Sequence, residues 1–149
     1  MSQVAERSVA AWAREADDRA SRGTLSLGRY FFAGNNAEVV AKGDVVDRGY
    51  KRDIADWLSN QRVPEGPFGL VSINRHYNDS QNASNYRIPD VLVNYGPREV
   101  YALDATLAVK TISTPQVRDA LRYGVTQWGN VTRTGLDWIY NTSLPRVKR

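Results

Sequence analysis

The clearest alternation of apolar and polar positions runs from Arg87 to Gln116. Arg-Ile-Pro-Asp-Val-Leu-Val (87–93) and Arg-Glu-Val-Tyr-Ala-Leu-Asp-Ala-Thr-Leu-Ala-Val-Lys (98–110) are apolar runs rich in β-branched residues, joined by Asn-Tyr-Gly-Pro (94–97). That pattern predicts a β-hairpin. With period two, Tyr101, Leu103, Ala105, Leu107 and Val109 form a bulky apolar face that reads as the core side. Val100, Ala102, Asp104, Thr106 and Ala108 form the other, whose small side chains predict a roomy cleft floor. Each strand carries one acid, Asp90 on the first and Asp104 on the second. An acid within a strand is costly to bury without a partner. Two acids delivered by one hairpin therefore make a candidate metal seat.

The flanking segments are mostly helical by period. Residues 3–20 place Val4, Ser8, Ala11, Trp12, Ala16 and Ala20 on one face, with Gly23 as the stop. Residues 35–42 predict a short helix capped by Asn35 or Asn36, and 44–59 a second one capped by Asp44. Val46, Gly49, Tyr50, Ile54, Trp57 and Leu58 form the apolar stripe of the latter. After a Pro/Gly loop at 62–67, residues 68–77 predict a strand and the polar run 78–85 a loop. Pro115 with Thr114 as cap opens a helix to about Tyr123, and 125–132 and 136–140 predict two last strands. The fold class is α+β (α/β): N-terminal helices, then a mixed β-sheet in an α-β-β-β-α-β core. Residues 1–43 read as an N-terminal helical segment and 44–149 as the core of one compact domain.

Composition narrows the chemistry. The 149-residue chain is long enough to bury roughly 68–70% of its unfolded surface. A net charge of +4 favours an anionic partner such as nucleic acid. The absence of cysteine excludes disulfides, thiolate zinc sites and thiol catalysis. Neither a signal peptide nor a run long enough to span a membrane is expected.

Pro89-Asp90, an acid on the next strand, and the helix–three-strand–helix–strand order resemble the PD-(D/E)xK nuclease superfamily. Leu103-Asp104-Ala105-Thr106-Leu107, Lys110-Thr111 and Thr114-Pro115-Gln116 also resemble C-terminal nuclease toxin domains of contact-dependent inhibition and other polymorphic toxin systems. The resemblance covers about residues 44–125 and implies a restriction-endonuclease-like core. It implies Asp90 and Asp104 as metal-ligating acids, Gln116 at the edge of the site, and a helix acid, with Glu38 ahead of Asp53 and Glu15. It implies Mg²⁺ or another divalent cation as cofactor and nucleic acid as substrate, RNA (transfer RNA included) favoured over DNA. It further implies a cognate acidic immunity protein, no membrane partner, delivery by a secretion system or within a larger exported protein, and action in the target-cell cytoplasm.

This sequence departs from the pattern at one position. Thr106 stands where the family's lysine falls, and the nearest lysine is Lys110. Six residues of ideal strand span about 20 Å, so Lys110 reaches the acids only if the strand bends or ends near Ala108. Thr106 is left to orient a water or a phosphate oxygen. The carboxylate–metal chemistry itself has a plain rationale: phosphodiester cleavage needs an activated water and a counter-charge for the phosphoryl oxygens, and a carboxylate-held Mg²⁺ supplies both. Two alternatives stay open. One is a metal-independent ribonuclease using His76, the only histidine, beside Arg75. The other is a non-catalytic phage or secretion-system module whose acids are structural.

Overall fold

The computed structural model describes residues 1–67, 69–79, 81–96, 98–106 and 110–142. Leu107, Ala108, Val109, the turn residue Pro97, Phe68 and the basic tail 145–149 lie outside the described residues.

Helix α1 (Ser2–Ser21) buries Ala5, Ser8, Val9, Ala13 and Ala16, a stripe at helical spacing. The stripe is rotated from the one expected, and Ala11 is exposed. A 3₁₀ stretch (Gly28–Asn36) then leads into α2 (Ala37–Asn60). The two short helices expected here are one: Gly43 and Asp44 lie inside α2. A mid-helix glycine costs about 1 kcal/mol, which burial of Ala41, Val46, Tyr50, Ile54 and Leu58 outweighs. Asp44 caps nothing. It pairs with Arg48 one turn on, at 2.7 Å, and accepts the Tyr30 hydroxyl. Helices α1 and α2 pack so closely that a Cβ at Gly49 would lie 2.2–2.5 Å from Trp12 ring atoms. Only glycine permits that approach.

The main sheet has five strands: β1 (Val71–Ile73), β4 (Val91–Gly96), β5 (Glu99–Ala105), β6 (Gln127–Thr132) and β7 (Gly135–Tyr140), in that spatial order. All neighbours are antiparallel except β5 and β6. Helix α3 (Pro115–Tyr123), with Pro115 in its first turn and Thr114 at the N-cap, makes the crossover between them. The strand expected over 68–77 is split at Asn74, whose φ is +60°. Its far part joins a small hairpin of β2 (Tyr77–Asn78) and β3 (Tyr86–Arg87). The polar run expected as a loop closes that hairpin through its own amides: Asn78 Nδ2 donates to the Ala83 carbonyl at 2.9 Å, and the Ser84 N–H to Asn82 Oδ1 at 3.1 Å.

Helices cover both faces of the sheet. Val71, Val91, Val93, Leu103 and Val131 pack with Val9, Tyr50, Ile54 and Leu58 of α1 and α2. Leu92, Val100, Ala102 and Trp128 pack with Val117, Ala120 and Leu121 of α3. The Asp104 face of β5 is therefore not an open cleft floor. It is a second core, and its small residues make room for α3. The fold is α+β, with helix α2, an antiparallel run of three strands, helix α3 and a parallel returning strand in succession. Residue 43 falls inside α2, which shares one core with α1 and the sheet. Among the described residues no helix is long and apolar enough to cross a membrane.

Candidate active site

The hairpin register brings the two acids together. Val91 pairs with Leu103, Leu92 with Ala102 and Val93 with Tyr101. One step further sets Asp90 against Asp104, and residues directly opposed in an antiparallel pair share a face with Cβ atoms about 4.5–5.5 Å apart. Asp90 is fixed by the Ala105 N–H, which donates to its Oδ2 at 3.0 Å. Pro89, just before it, is fully buried and sets the entry into β4. Asp104 is only 3% exposed.

Lysines answer both acids. Strand β5 ends at Ala105, so Lys110 is not held six residues out along an extended chain. Asn130 of the neighbouring β6, buried and in register with Asp104, donates from Nδ2 to the Lys110 carbonyl at 2.7 Å. That anchor turns the Lys110 ammonium back to Asp104 Oδ2 at 2.7 Å. The same ammonium donates to Gln116 Oε1 at 2.7 Å, in the first turn of α3. Asp104, Lys110 and Gln116 thus form one chain of contacts. Thr106 extends the β5–β6 ladder, its N–H donating to the Val131 carbonyl at 3.0 Å.

The second lysine, Lys51 of α2, escapes sequence reasoning. Its Nζ lies 3.3 Å from Asp90 Oδ1, 2.9 Å from Asp47 Oδ1 and 3.0 Å from Asn74 Oδ1. The preceding residue, Tyr50, is fully buried, and its hydroxyl makes no hydrogen bond among the described residues although it faces Asp90. Tyr50 reads as a stripe residue in the sequence, so its polar end gives no separate signal. The Asp47–Lys51 spacing of one turn was the available clue.

The electrostatics follow from this crowding. Burial, then the nearby charge of Asp90, raises the Asp104 pKa to about 7, against the pull of Lys110. Burial and Asp90 also push the Tyr50 phenol well above its ordinary range. Burial opposes the charge on Lys51, but Asp90 and Asp47 outweigh it and its pKa is raised. Burial raises Asp47, with Lys51 pulling it back. At neutral pH the site thus holds two acids that resist joint ionisation and a buried hydroxyl, turned toward Asp90, with no well-formed hydrogen bond among the described residues. An added positive charge between the acids would relieve the first strain, and a bound water could satisfy the hydroxyl.

The remaining candidates lie elsewhere. Glu38 is not brought to the acids: it pairs with Lys42 at 3.4 Å in the first turn of α2. Thirteen helical residues, about 20 Å, separate it from Lys51. Asp53 accepts hydrogen bonds from Ser8 Oγ (2.6 Å) and Trp12 Nε1 (2.9 Å), and Glu15 pairs with Arg19 (2.9 Å). Among the described residues no three His, Cys, Asp or Glu side chains form a metal-holding group. His76 is exposed and stacks on Tyr86 with ring centroids 3.9 Å apart, while Arg75 pairs with Glu65 at 3.1 Å. Arg87, Arg118 and Arg122 gather on Asp119 at 2.6, 3.6 and 3.3 Å, away from the acid pair's lysines. Comparison with family models, curated proteins and solved structures finds no match to this chain.

Proposed function

We propose that the chain is a metal-dependent nuclease of the PD-(D/E)xK type, a toxin domain that cleaves phosphodiester bonds in RNA in preference to DNA. One observation carries the reading: Asp90, Asp104 and Lys110 meet at one end of a sheet whose element order is helix, three antiparallel strands, helix and parallel strand. The restriction-endonuclease-like core is part of the same proposal.

The donor set fits a magnesium ion held by Asp90 and Asp104 and completed by waters, since Mg²⁺ keeps several waters and needs few carboxylates. When bound, the ion supplies a lowered water pKa and a counter-charge for the phosphate. The chain's own residues do the rest. The Ala105 N–H fixes the angle of Asp90. Lys110 presents its ammonium where negative charge develops on the phosphoryl oxygens, and Gln116 holds that ammonium in place. Lys51 balances the charge of Asp90. The proposal includes an acidic immunity protein that blocks this site in the producing cell, and delivery through a secretion system into the target-cell cytoplasm.

Asp104→Ala is the direct test. Wild-type protein should cut RNA with Mg²⁺ and stop in EDTA, and the variant should be inactive in both. Cleavage in EDTA at the Mg²⁺ rate would sink the metal mechanism, and its loss in His76→Ala would then assign the chemistry to the histidine.

A further inference from the structure

Helix α2 carries a second basic feature on a face next to the one that meets the acid pair. A cavity of about 320 Å³ lies between α1, the 3₁₀ stretch and α2, lined by Arg19, Arg29, Arg48 and Arg52 together with Trp12 and Tyr30. That volume is at the lower end of the roughly 300–1,000 Å³ of small-ligand pockets. Its single acid is Asp44, already committed to Arg48 at 2.7 Å. Arg19 is paired with Glu15 at 2.9 Å, whereas Arg29 and Arg52 have no ion-pair partner among the described residues. The Arg52 guanidinium sits over the Trp12 ring at 5.1 Å, which presents it without neutralising it.

Exposed aromatic residues adjoin the cavity wall: the Phe32 ring lies 6.5 Å from that of the lining residue Tyr30, and Phe31 sits between them in the chain. Phe31 and Phe32, which follow the lining residue Tyr30 directly, are 89% and 80% exposed. A basic recess flanked by exposed aromatic rings is the arrangement that binds single-stranded nucleic acid, with arginines on the phosphates and rings under the bases. A small inorganic anion would leave the rings without a role.

We propose that this cavity and the Phe31–Phe32 pair hold a segment of single-stranded RNA, outside the nucleotides presented to Asp90 and Asp104. The inference extends the nuclease reading but is measured without cleavage, so each can fail alone. Arg48, Gly49 and Arg52 line the cavity, while Lys51 of the same turns faces Asp90. Arg48 and Lys51 are three residues apart, so the two sites occupy adjoining faces of α2.

The test is anisotropy of a labelled 12-nucleotide single-stranded RNA in EDTA, over a salt series. Arg29→Gln/Arg52→Gln should weaken binding about tenfold or more and reduce the salt slope by about 1–2 phosphate contacts. Phe31→Ala/Phe32→Ala, at exposed positions that leave the core intact, should weaken binding about five- to tenfold with the salt slope unchanged. Unchanged affinity in both double variants overturns the proposal. So does displacement of the probe by inorganic phosphate or AMP as effective as by unlabelled RNA, which would assign the cavity to a small free ligand. Displacement by poly-glutamate as effective as by RNA would assign the face to an acidic protein and overturn it equally.

Discussion

Two sets of semi-buried acids sit on opposite sides of helix α2, and they differ in how they are satisfied. Asp53 receives a hydroxyl and an indole N–H, from Ser8 and Trp12, and ties α1 to α2. Both of its partners are neutral donors that would otherwise be left unpaired. Asp90 and Asp104 instead face each other, and Asp104 is held at a pKa of about 7 by burial and by its neighbour's charge. A fold that needed only stability would not oppose two carboxylates at the end of a hairpin, because like charges across an antiparallel pair are destabilising. The first acid has the character of a structural tie. The second pair has the strain expected of a site tuned for chemistry.

The comparison breaks most visibly in activity. Asp90→Ala and Asp104→Ala should each lower Mg²⁺-dependent RNA cleavage by about 10³-fold or more, whereas Asp53→Ala should leave the rate per folded molecule within about twofold. Equal losses from all three, with folding intact, would erase the distinction. Next in size, Lys110→Gln should slow turnover by about 10²-fold, the scale of one lost charge-stabilising group. Lys110→Arg should recover part of that rate without changing the metal requirement, as read from single-turnover rates over a Mg²⁺ titration.

The structural side should answer in stability alone. Gly49→Ala drives a methyl into Trp12 and should lower stability by about 1–3 kcal/mol in urea unfolding. Asp53→Ala strands the Ser8 and Trp12 donors and should lower it by about 1–3 kcal/mol. On the other side, removing the crowded charge should do the opposite. The folded Asp104 pKa, about 7, lies above its ordinary 3.8. Its favourable contribution is therefore complete below about pH 4 and is lost as pH rises through 7. Asp104→Asn, which mimics the protonated acid, should match wild type near pH 4 and exceed it by about 1–3 kcal/mol at pH 8–9. A variant less stable than wild type at pH 8–9 would show Asp104 to be a structural partner of Lys110.

Local chemistry made several elements legible. Pro115 after Thr114 marks the start of α3 and the β-branched runs mark β4 and β5, whereas the register that sets Asp90 opposite Asp104 includes a bulge between Asn94 and Gly96 that the alternation does not reveal. Lys110 and Gln116 could be named from their positions, but only the tertiary anchor from Asn130 explains how the lysine reaches its acid. Asp44 has the type of a cap and splits α2 into two by sequence, but a cap signal carries no information about the packing that overrides it. Element order alone points to Glu38 as the helix acid, and the structure pairs it with Lys42 instead. The acid near the site is Asp47, brought there by the turn that also carries Tyr50 and Lys51. The cover over Asp104 was invisible because alternation along one strand does not say what packs on its second face.

The bond from Asn130 to the Lys110 carbonyl has a consequence for how such a centre could be rebuilt. The backbone of Lys110 is tied to a neighbouring strand as well as to its own. The interval between Asp104 and Lys110 is thereby released from the strict two-residue spacing of a D-x-K motif. The same acid–lysine layout becomes transplantable to any pair of adjacent parallel strands that can supply an acid on one and an amide-bearing hook on the other.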